Sequence, residues 1–291
     1  MAYIEKKIVN GKIYYYLTET KRVDGKFKKT RKYLGTTIPK DLEILKKKTK
    51  RIAKKLTEEE IRIIGRIKKN YLKKYRLDKT LWKTERERIV SFIYNTNAIE
   101  GNTLTLEETD SILAGKEILH KERKRDIKEV QNMEKCIDFL FDYKGEINEE
   151  MILKLHYIEQ KEIMHDAGKY RNVNVRVGNY LCPQWQELPQ LMKEFIEWYN
   201  IAKKQLRSFE LAALVHLKFV RIHPFRDGNG RMSRLLMNFV LLKGNCPLLN
   251  IFNDEKMLYY LVLQKFDFDR KERAFIRYLF EVFVKQYKEY L

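Results

Sequence analysis

The chain has 291 residues, enough for a substantial hydrophobic core, and its 60 Lys and Arg against 40 Asp and Glu give a net charge of +20, which favours anionic partners. The three cysteines lie far apart and form no CxxC pair, which argues against a zinc site or a disulfide framework. Because no apolar signal core and no 18-residue apolar run occurs, we expect a cytoplasmic protein with no membrane partner.

Positive charge is concentrated at the N-terminus, where residues 1–55 hold 18 Lys and Arg and 5 Asp and Glu, a net +13. The runs YIEKKIV, KIYYYLTET and KFKKTRKYLG are separated by Asn10-Gly11 and Asp24-Gly25, which are strong hairpin signals. We predict that residues 1–40 form a small basic three-stranded antiparallel β meander. Three strands are barely stable alone, so we expect this meander to pack on the helices that follow.

From Asp41 onward the apolar residues follow helical spacing almost to the end of the chain. Residues 41–79 are predicted to form basic linking helices, and residues 80–291 a helical core. Thr105 and Glu108 form a capping box that fixes one helix start. Beyond the basic helix at 41–55, the predicted helices span about 57–76, 80–98, 105–120, 122–143, 148–164, 184–204, 208–222, 229–243, 254–264 and 270–290.

One segment between the helices has a β pattern. In GKYRNVNVRVGNYLCP, residues 168–183, Val173, Val175 and Val177 alternate with polar residues, and Gly178-Asn179 supplies a turn. We therefore predict a fold that is mainly α-helical with an inserted β-hairpin.

The stretch HPFRDGNGRMSR, residues 223–234, combines a base, an acid, a glycine-bearing turn and two arginines at the start of a helix. Free backbone N–H groups and the positive end of the helix dipole make such a turn an anion site. Arg231 and Arg234 lie on the first turn, where they can reach two successive phosphates. Asp227 is placed to hold Mg²⁺, and His223 is suited to take a proton from an attacking hydroxyl. These residue types fit phosphoryl or nucleotidyl transfer.

The same stretch resembles the signature of the Fic family, HxFx[D/E]GNGRxxR, at every defined position. Fic proteins are helical enzymes that most often transfer AMP from ATP to a protein hydroxyl. The resemblance implies a Mg²⁺-dependent nucleotidyltransferase with His223 as general base, Phe225 as core anchor and Asp227 as Mg²⁺ ligand. It also implies a set of phosphate-binding residues, with the α-phosphate held by Gly228, Asn229 and Gly230 and the outer phosphates by Arg231 and Arg234.

The predicted hairpin acquires a role from the same resemblance. In Fic proteins a GxYR sequence, here Gly168, Tyr170 and Arg171, precedes a flap that holds the target's backbone by strand addition. The alternating valines of residues 168–183 are thereby implied to bind the target. The alternative is a structural hairpin that covers the core.

The segment TNAIEGN places Thr96 and Glu100 on one face of a helix that Gly101 ends. An acidic residue in the last turn of a helix is mildly unfavourable. The segment resembles the Fic inhibitory motif [S/T]xxxE[G/N] in its position N-terminal to the catalytic core. The resemblance implies that Glu100 pairs with Arg234 and keeps it from the γ-phosphate of ATP, so that the enzyme is autoinhibited. The inhibitory element implied in this way is helix 84–100 with Thr96, Glu100, Gly101 and Asn102.

Several alternatives stay open at this point. Since the same glutamate positions water to remove AMP in some Fic proteins, a de-AMPylating hydrolase, or a transferase that uses another nucleotide, fits the same site. A function of another class is a nucleic-acid-binding regulator acting through residues 1–55, because Tyr14, Tyr15, Tyr16 and Tyr33 lie among lysines. A strand edge protected by lysines, or docking of a target or partner, explains those residues equally well. Besides ATP and an unidentified target protein, a second copy of the chain is an expected partner, since Fic proteins often pair.

Overall fold

The structure is a computed structural model that describes residues 2–9, 12–23, 26–36, 56–116, 123–178, 180–269 and 272–291. The basic helix predicted for residues 41–55 lies outside these ranges. The described part of the chain is mainly α-helical with a small inserted hairpin, which confirms the predicted fold class. None of its described helices is both long enough and apolar enough to cross a lipid bilayer.

Three strands open the described chain, and helices follow on both sides of one short hairpin. The strands are β1 (Ala2–Val9), β2 (Lys12–Val23), β3 (Lys26–Gly35), β4 (Arg176–Val177) and β5 (Tyr180–Leu181). The helices are α1 (Glu58–Leu72), α2 (Leu81–Thr84), α3 (Arg86–Ile99), α4 (Leu106–Leu113), α5 (Lys124–Asp142), α6 (Glu149–Gln160), α7 (Leu188–Ala202), α8 (Ser208–Ile222), α9 (Asn229–Lys243), α10 (Lys256–Asp269) and α11 (Arg273–Gln286). Single 3₁₀ turns, Trp185–Glu187 and Lys288–Tyr290, precede α7 and follow α11.

The N-terminal strands pair antiparallel in the order β1-β2-β3. Glu5 lies opposite Tyr16, and Tyr16 lies opposite Tyr33. Across this sheet Glu5 accepts hydrogen bonds from the Thr18 hydroxyl (2.9 Å) and from Nε of Arg31 (2.8 Å). Strand β1 runs beside α10, so the sheet adjoins the C-terminal part of the chain.

The helical core is built around α8 and α9, which pack against each other and are joined by the loop 223–228. Almost every side chain of α9 is buried, as expected for a helix that is enclosed on all sides. Helices α3 and α5 pack on α9, while α7 and α11 pack on α8. The loop between α8 and α9 therefore lies at the end of a helix pair that its neighbours hold in place.

Helix α1 packs against the last helix of the described chain and the 3₁₀ turn that follows it. Its buried residues Ile64, Ile67 and Tyr71 belong to the main hydrophobic core. Tyr71 packs edge-on against Tyr287 and Tyr290, with ring centroids 5.5 and 5.2 Å apart. The domain boundaries predicted at residues 40 and 79 stay predictions.

Some helix boundaries differ from those predicted. The helix expected at 80–98 is two helices, because Glu85 leaves the helical conformation between α2 and α3. The capping box of α4 is confirmed, since Thr105 accepts a hydrogen bond from the N–H of Glu108 and Glu108 accepts one from the N–H of Thr105. This helix ends after eight residues, earlier than predicted, and Gly115 just beyond it has a φ of 74°.

Candidate active site

One asparagine fixes the shape of the loop between α8 and α9. Asn229 is buried, and its side chain accepts from the N–H of Phe225 (2.9 Å) and donates to the carbonyl of Phe225 (2.8 Å). Phe225 is itself fully buried, so the loop is anchored in the core. Because the Asn229 side chain is used within the loop, only its backbone N–H is left for the predicted anion site.

His223 ends α8 in a left-handed backbone conformation, with a φ of 53°. Its ring Nδ1 lies 3.2 Å from the carbonyl oxygen of Val220. A carbonyl only accepts, so Nδ1 carries the proton and donates, which leaves the lone pair of Nε2 available to take a proton. Burial lowers the pKa of His223 to about 4, and the imidazole is therefore neutral near pH 7. The predicted base is thus in the charge state and tautomer that a general base requires.

The N-terminus of α9 has the geometry of an anion site. Gly228 precedes it with a φ of 80°, and no side chain in the described part of the chain caps the helix. A Cβ at Gly228 would collide with the Glu159 carboxylate and the Gln160 amide, so this position requires glycine both for its backbone and for space. The first N–H groups of α9 and the positive end of its dipole converge on one place.

Glu100 lies directly over this helix start. One oxygen of its carboxylate occupies the space that a Cβ on Gly230 would need, and the same oxygen accepts from Nη2 of Arg234 at 2.8 Å. Arg234 is fully buried and is also held by Thr96, whose hydroxyl accepts from Nε (2.7 Å) and whose carbonyl accepts from Nη2 (2.8 Å). The structure thus joins the predicted inhibitory glutamate and the predicted phosphate-binding arginine in an ion pair.

The two residues after Glu100 fix the end of α3. Gly101 adopts a φ of 100°, which ends the helix. The side-chain amide of Asn102 donates to the carbonyl of Asp126 and to the carboxylate of Glu129, both at 3.0 Å. Asn102 therefore ties the end of α3 to α5, which keeps the carboxylate of Glu100 in position.

Arg231 has surroundings that differ from those expected of a side chain open to phosphate. It is fully buried, 2.6 Å from Glu159 and 3.1 Å from Glu129, with Asp227 at 3.7 Å. Both glutamates are buried as well, so their charges compensate the guanidinium inside the core. In this structure Arg231 is thus paired with carboxylates of α5 and α6, whereas Arg234 is paired with Glu100. A phosphate contact by Arg231 stays a prediction.

Asp227 is the expected Mg²⁺ ligand, and its side chain is partly exposed beside the start of α9. Its Oδ2 accepts from Arg125 (2.7 Å) and its Oδ1 accepts from the N–H of Gly228 (2.7 Å). The described residues hold no group of three or more His, Cys, Asp or Glu side chains suited to a metal ion. A single carboxylate beside a phosphate site still fits Mg²⁺, which proteins bind through one or two carboxylates together with substrate phosphates and water.

Arg171 connects this loop to the segment that carries the hairpin. Its buried guanidinium donates to three carbonyls, those of His223 (2.8 Å), Val173 (2.8 Å) and Pro183 (2.7 Å). Its own N–H donates to the carbonyl of Pro224 at 2.9 Å. One side chain therefore holds the backbone of the predicted base and both ends of the hairpin segment.

Residues 146–241, which include α8, the loop 223–228 and nearly all of α9, match the sequence model of the Fic/DOC family. The chain carries a Fic domain. The protein adenylyltransferase Fic of Culex quinquefasciatus is 31% identical over 216 residues, and that of Drosophila ananassae is 34% identical over 219 residues. These alignments cover 70% and 72% of this chain but 42% and 43% of the relatives, so the chain spans less than half of their length.

Solved structures of Fic proteins share the fold. A Fic family protein from Desulfovibrio desulfuricans G20 superposes with a TM-score of 0.68 and 25% identity, covering 81% of this chain and 75% of that one. Fic-1 from C. elegans superposes with a TM-score of 0.69 and 27% identity, covering 80% of this chain and 70% of that one. Both likenesses extend well beyond residues 146–241, so helices outside the matched Fic segment belong to the shared fold.

The hairpin of the Fic domain is shorter than predicted. Its ladder consists of β4 and β5, in which Val177 lies opposite Tyr180, while the carbonyl of Val175 accepts from the N–H of Cys182 at 3.3 Å. Val173 lies in a bend before this ladder and is exposed. The strict alternation expected over the whole segment therefore holds only near the turn, and the target-binding role of the three valines stays a prediction.

His156 is a residue of the Fic domain that sequence analysis did not single out. Its ring stacks on Phe225 with centroids 3.6 Å apart and an interplanar angle of 2°. Nδ1 accepts from the N–H of Gly168 (2.9 Å), and Nε2 donates to the carbonyl of Asp227 (3.2 Å). Burial lowers the pKa of His156 to about 4, so the ring is neutral and fits this pattern of one acceptor and one donor. It braces the loop 223–228 against the start of the hairpin segment.

Proposed function

We propose that this protein is an adenylyltransferase that moves AMP from ATP to a hydroxyl side chain of a target protein and of itself, and that Glu100 keeps it inhibited. The observation that carries the proposal is the position of the Glu100 carboxylate, over the first turn of α9 and 2.8 Å from Arg234. The relatives named protein adenylyltransferase support the reaction class.

Inhibition follows from competition for one cation. A triphosphate bound at the N-terminus of α9 needs a positive partner for its outer phosphates, and Arg234 is already paired with Glu100. The carboxylate also places negative charge where the phosphates would come, which weakens their binding further. Because Arg231 is held by Glu129 and Glu159, Arg234 is the guanidinium that becomes available when α3 moves the carboxylate away.

The transfer step needs a base beside the anion site, and His223 meets that need. Its Nε2 accepts the proton of the target hydroxyl, the hydroxyl oxygen bonds to the α-phosphorus, and the bond to pyrophosphate breaks with its electrons leaving on pyrophosphate. Backbone N–H groups at the start of α9 stabilise the charge that develops on the α-phosphate. Asp227 would hold Mg²⁺, which when bound neutralises part of the phosphate charge.

The hairpin is the element that this proposal assigns to the target protein. Leu181 is exposed on it and Val173 is exposed in the bend before it, so an extended target segment can lie beside the hairpin and bury apolar side chains there. Arg171 holds both ends of this segment and the backbone of His223 together. A target bound at the hairpin is therefore placed at a fixed distance from the base.

Removal of AMP from a modified protein is the second candidate function. About a fifth of the Glu100 side chain is accessible (20%), although its partner Arg234 is fully buried. An accessible carboxylate beside an anion site can orient a water molecule toward a bound phosphodiester. In that case the residue that blocks transfer would be required for hydrolysis.

Label transfer distinguishes these functions. The wild type, Glu100→Gly and Glu100→Gly/His223→Ala are incubated with Mg²⁺ and ATP labelled at either the α- or the γ-phosphate. We expect protein-bound label from α-labelled ATP only, strongest in the single variant and absent in the double. Label from the γ-phosphate, or transfer only from another nucleotide, would contradict AMP transfer from ATP. Loss of AMP from a premodified protein that depends on Glu100 would support hydrolysis.

A further inference from the structure

The N-terminal sheet carries a surface that the proposed AMP transfer does not use. Lys7 lies opposite Tyr14, and Tyr16 lies opposite Tyr33, so these side chains share one face of the sheet. The ring centroid of Tyr33 is 5.4 Å from that of Tyr16 and 6.3 Å from that of Tyr14. We call Lys7, Tyr14, Tyr16 and Tyr33 the tyrosine face.

The tyrosine face is accessible to a ligand. Tyr33 is 52% exposed, and Tyr14 and Tyr16 are partly exposed beside it. Exposed aromatic rings on a sheet are platforms on which planar bases stack. Nζ of Lys7 lies 5.8 Å from the ring centroid of Tyr16, which places a cation next to the stacking surface.

The charge of this region is complementary to a polyanion. Residues 1–36 contain ten Lys and Arg against three Asp and Glu. Glu5, which shares the face with Tyr16, is paired with Arg31 and accepts a hydrogen bond from Thr18, so its negative charge is compensated within the sheet. A phosphate chain crossing the tyrosine face therefore meets excess positive charge.

The tyrosine rings and positive charge of this face together favour one class of anionic partner over the others. An acidic protein would satisfy the lysines but offers few planar groups for three tyrosine rings. A nucleic acid duplex offers phosphates, yet its base faces are hidden in the stack. A single strand offers both phosphates and free base faces.

We propose that the tyrosine face binds single-stranded nucleic acid, with bases stacked on Tyr14, Tyr16 and Tyr33 and a phosphate contacting Lys7. This binding is separate from AMP transfer, and its test requires no enzymatic activity.

Fluorescence anisotropy with the full chain tests the proposal. The probes are labelled oligo(dT) and oligo(rU) of about 20 nucleotides and a duplex of the same length. We expect the single strands to bind more tightly than the duplex, with a logarithmic salt slope of about −0.7 for each phosphate contacted. Tyr33→Ala should weaken single-strand binding by about fivefold or more and leave the salt slope unchanged. Lys7→Gln should instead reduce that slope.

Matched variants separate stacking from misfolding. Tyr157→Ala removes a tyrosine of similar exposure (49%) on α6 and should leave single-strand binding unchanged. Tyr33→Phe keeps the ring and should bind like the wild type. Equal affinity for the duplex, an unchanged affinity of Tyr33→Ala, or the absence of binding at low salt would overturn the proposal. Displacement by polyglutamate as readily as by unlabelled oligonucleotide would also overturn it, because it would show a surface for any polyanion.

Discussion

Replacing Glu100 with glycine should raise the rate of AMP transfer by an amount that can be estimated from the structure. Arg234 is fully buried, and removing one partner of a buried Arg–carboxylate pair costs about 3–5 kcal/mol. Glu100 is 20% exposed, so the lower end, about 3 kcal/mol, is the appropriate estimate for what a triphosphate must overcome. At 1.36 kcal/mol for each tenfold change, Glu100→Gly should raise the rate of AMP transfer at subsaturating ATP by about 100-fold.

The same substitution should lower stability while it raises activity. It leaves the guanidinium of Arg234 with hydrogen bonds to Thr96 and a longer one to Tyr259, but without a carboxylate. The loss of this partner predicts a decrease of about 3 kcal/mol in the free energy of unfolding, the same amount as estimated above for the buried pair. Thermal melting with and without ATP and Mg²⁺ measures this effect, and ATP should restore more stability in the variant than in the wild type.

Two control variants make the result interpretable. Glu87→Gly introduces the same change at an exposed position of α3 and should lower stability slightly without raising activity. Glu100→Gln keeps the size of the side chain and should give an intermediate rate. A transfer rate for Glu100→Gly within twofold of the wild type, or an equal increase for Glu87→Gly, would refute the reasoning.

Three further predictions concern the loop 223–228 and Arg171, which holds it. The first two are measured in the Glu100→Gly background. Arg171→Ala should lower kcat and leave the Kd for ATP unchanged, because its contacts hold the backbone of His223. Arg171→Lys should restore little, since Nε, Nη1 and Nη2 of the planar guanidinium each reach a different carbonyl and a compact ammonium does not span them. The pH profile of kcat/KM should stay flat from about pH 8 to about pH 6, because burial lowers the pKa of His223 to about 4 and the neutral base is lost only as pH falls toward that value. Gly228→Ala should lower the free energy of unfolding by about 1–3 kcal/mol and abolish AMP transfer. The reason is that Gly228 has a φ of 80° and an added Cβ would collide with the buried carboxylate of Glu159. Thermal melting measures the first effect and label transfer the second.

Each of these expectations has its own contradicting outcome. A higher Kd for ATP in Arg171→Ala would mean that Arg171 contributes to nucleotide binding. Arg176→Ala, at an exposed position of the hairpin, is the control for the loss of a positive charge. A half-maximal rate near pH 6.5 would mean that His223 titrates like an ordinary imidazole. Gly65→Ala has open space for its Cβ and should leave stability unchanged or slightly higher, so an equal loss in Gly228→Ala and Gly65→Ala would contradict the steric argument.

Local sequence signals correctly predict contacts between residues that are close in the chain. The capping box of Thr105 and Glu108 is such a case, because both of its hydrogen bonds lie within one helical turn. The glycine turn before α9 is another, since the φ of Gly228 follows from the helix start that it precedes. The pairing of Glu100 with Arg234, 134 residues apart, was accessible only through the resemblance to the Fic motifs.

Contacts between distant helices lay beyond what spacing can predict. Arg231 is three residues from Arg234 and looks equivalent in sequence, yet Glu129 and Glu159 hold it in the core. The sequence around His156, on an apolar helix, does not indicate the role of this side chain, because its partners Phe225, Gly168 and Asp227 come from other elements. In both cases the role of the side chain is decided by helices that pack together only after folding.

Calorimetric titration of ATP and AMP into the wild type and Glu100→Gly tests the central claim most directly. If Glu100 acts by occupying Arg234, its removal should strengthen binding of ATP by about 100-fold and leave binding of AMP nearly unchanged, because only ATP carries a phosphate that reaches Arg234. An equal change for both nucleotides, or no change for ATP, would contradict the assignment of Glu100 as a block on the outer phosphates.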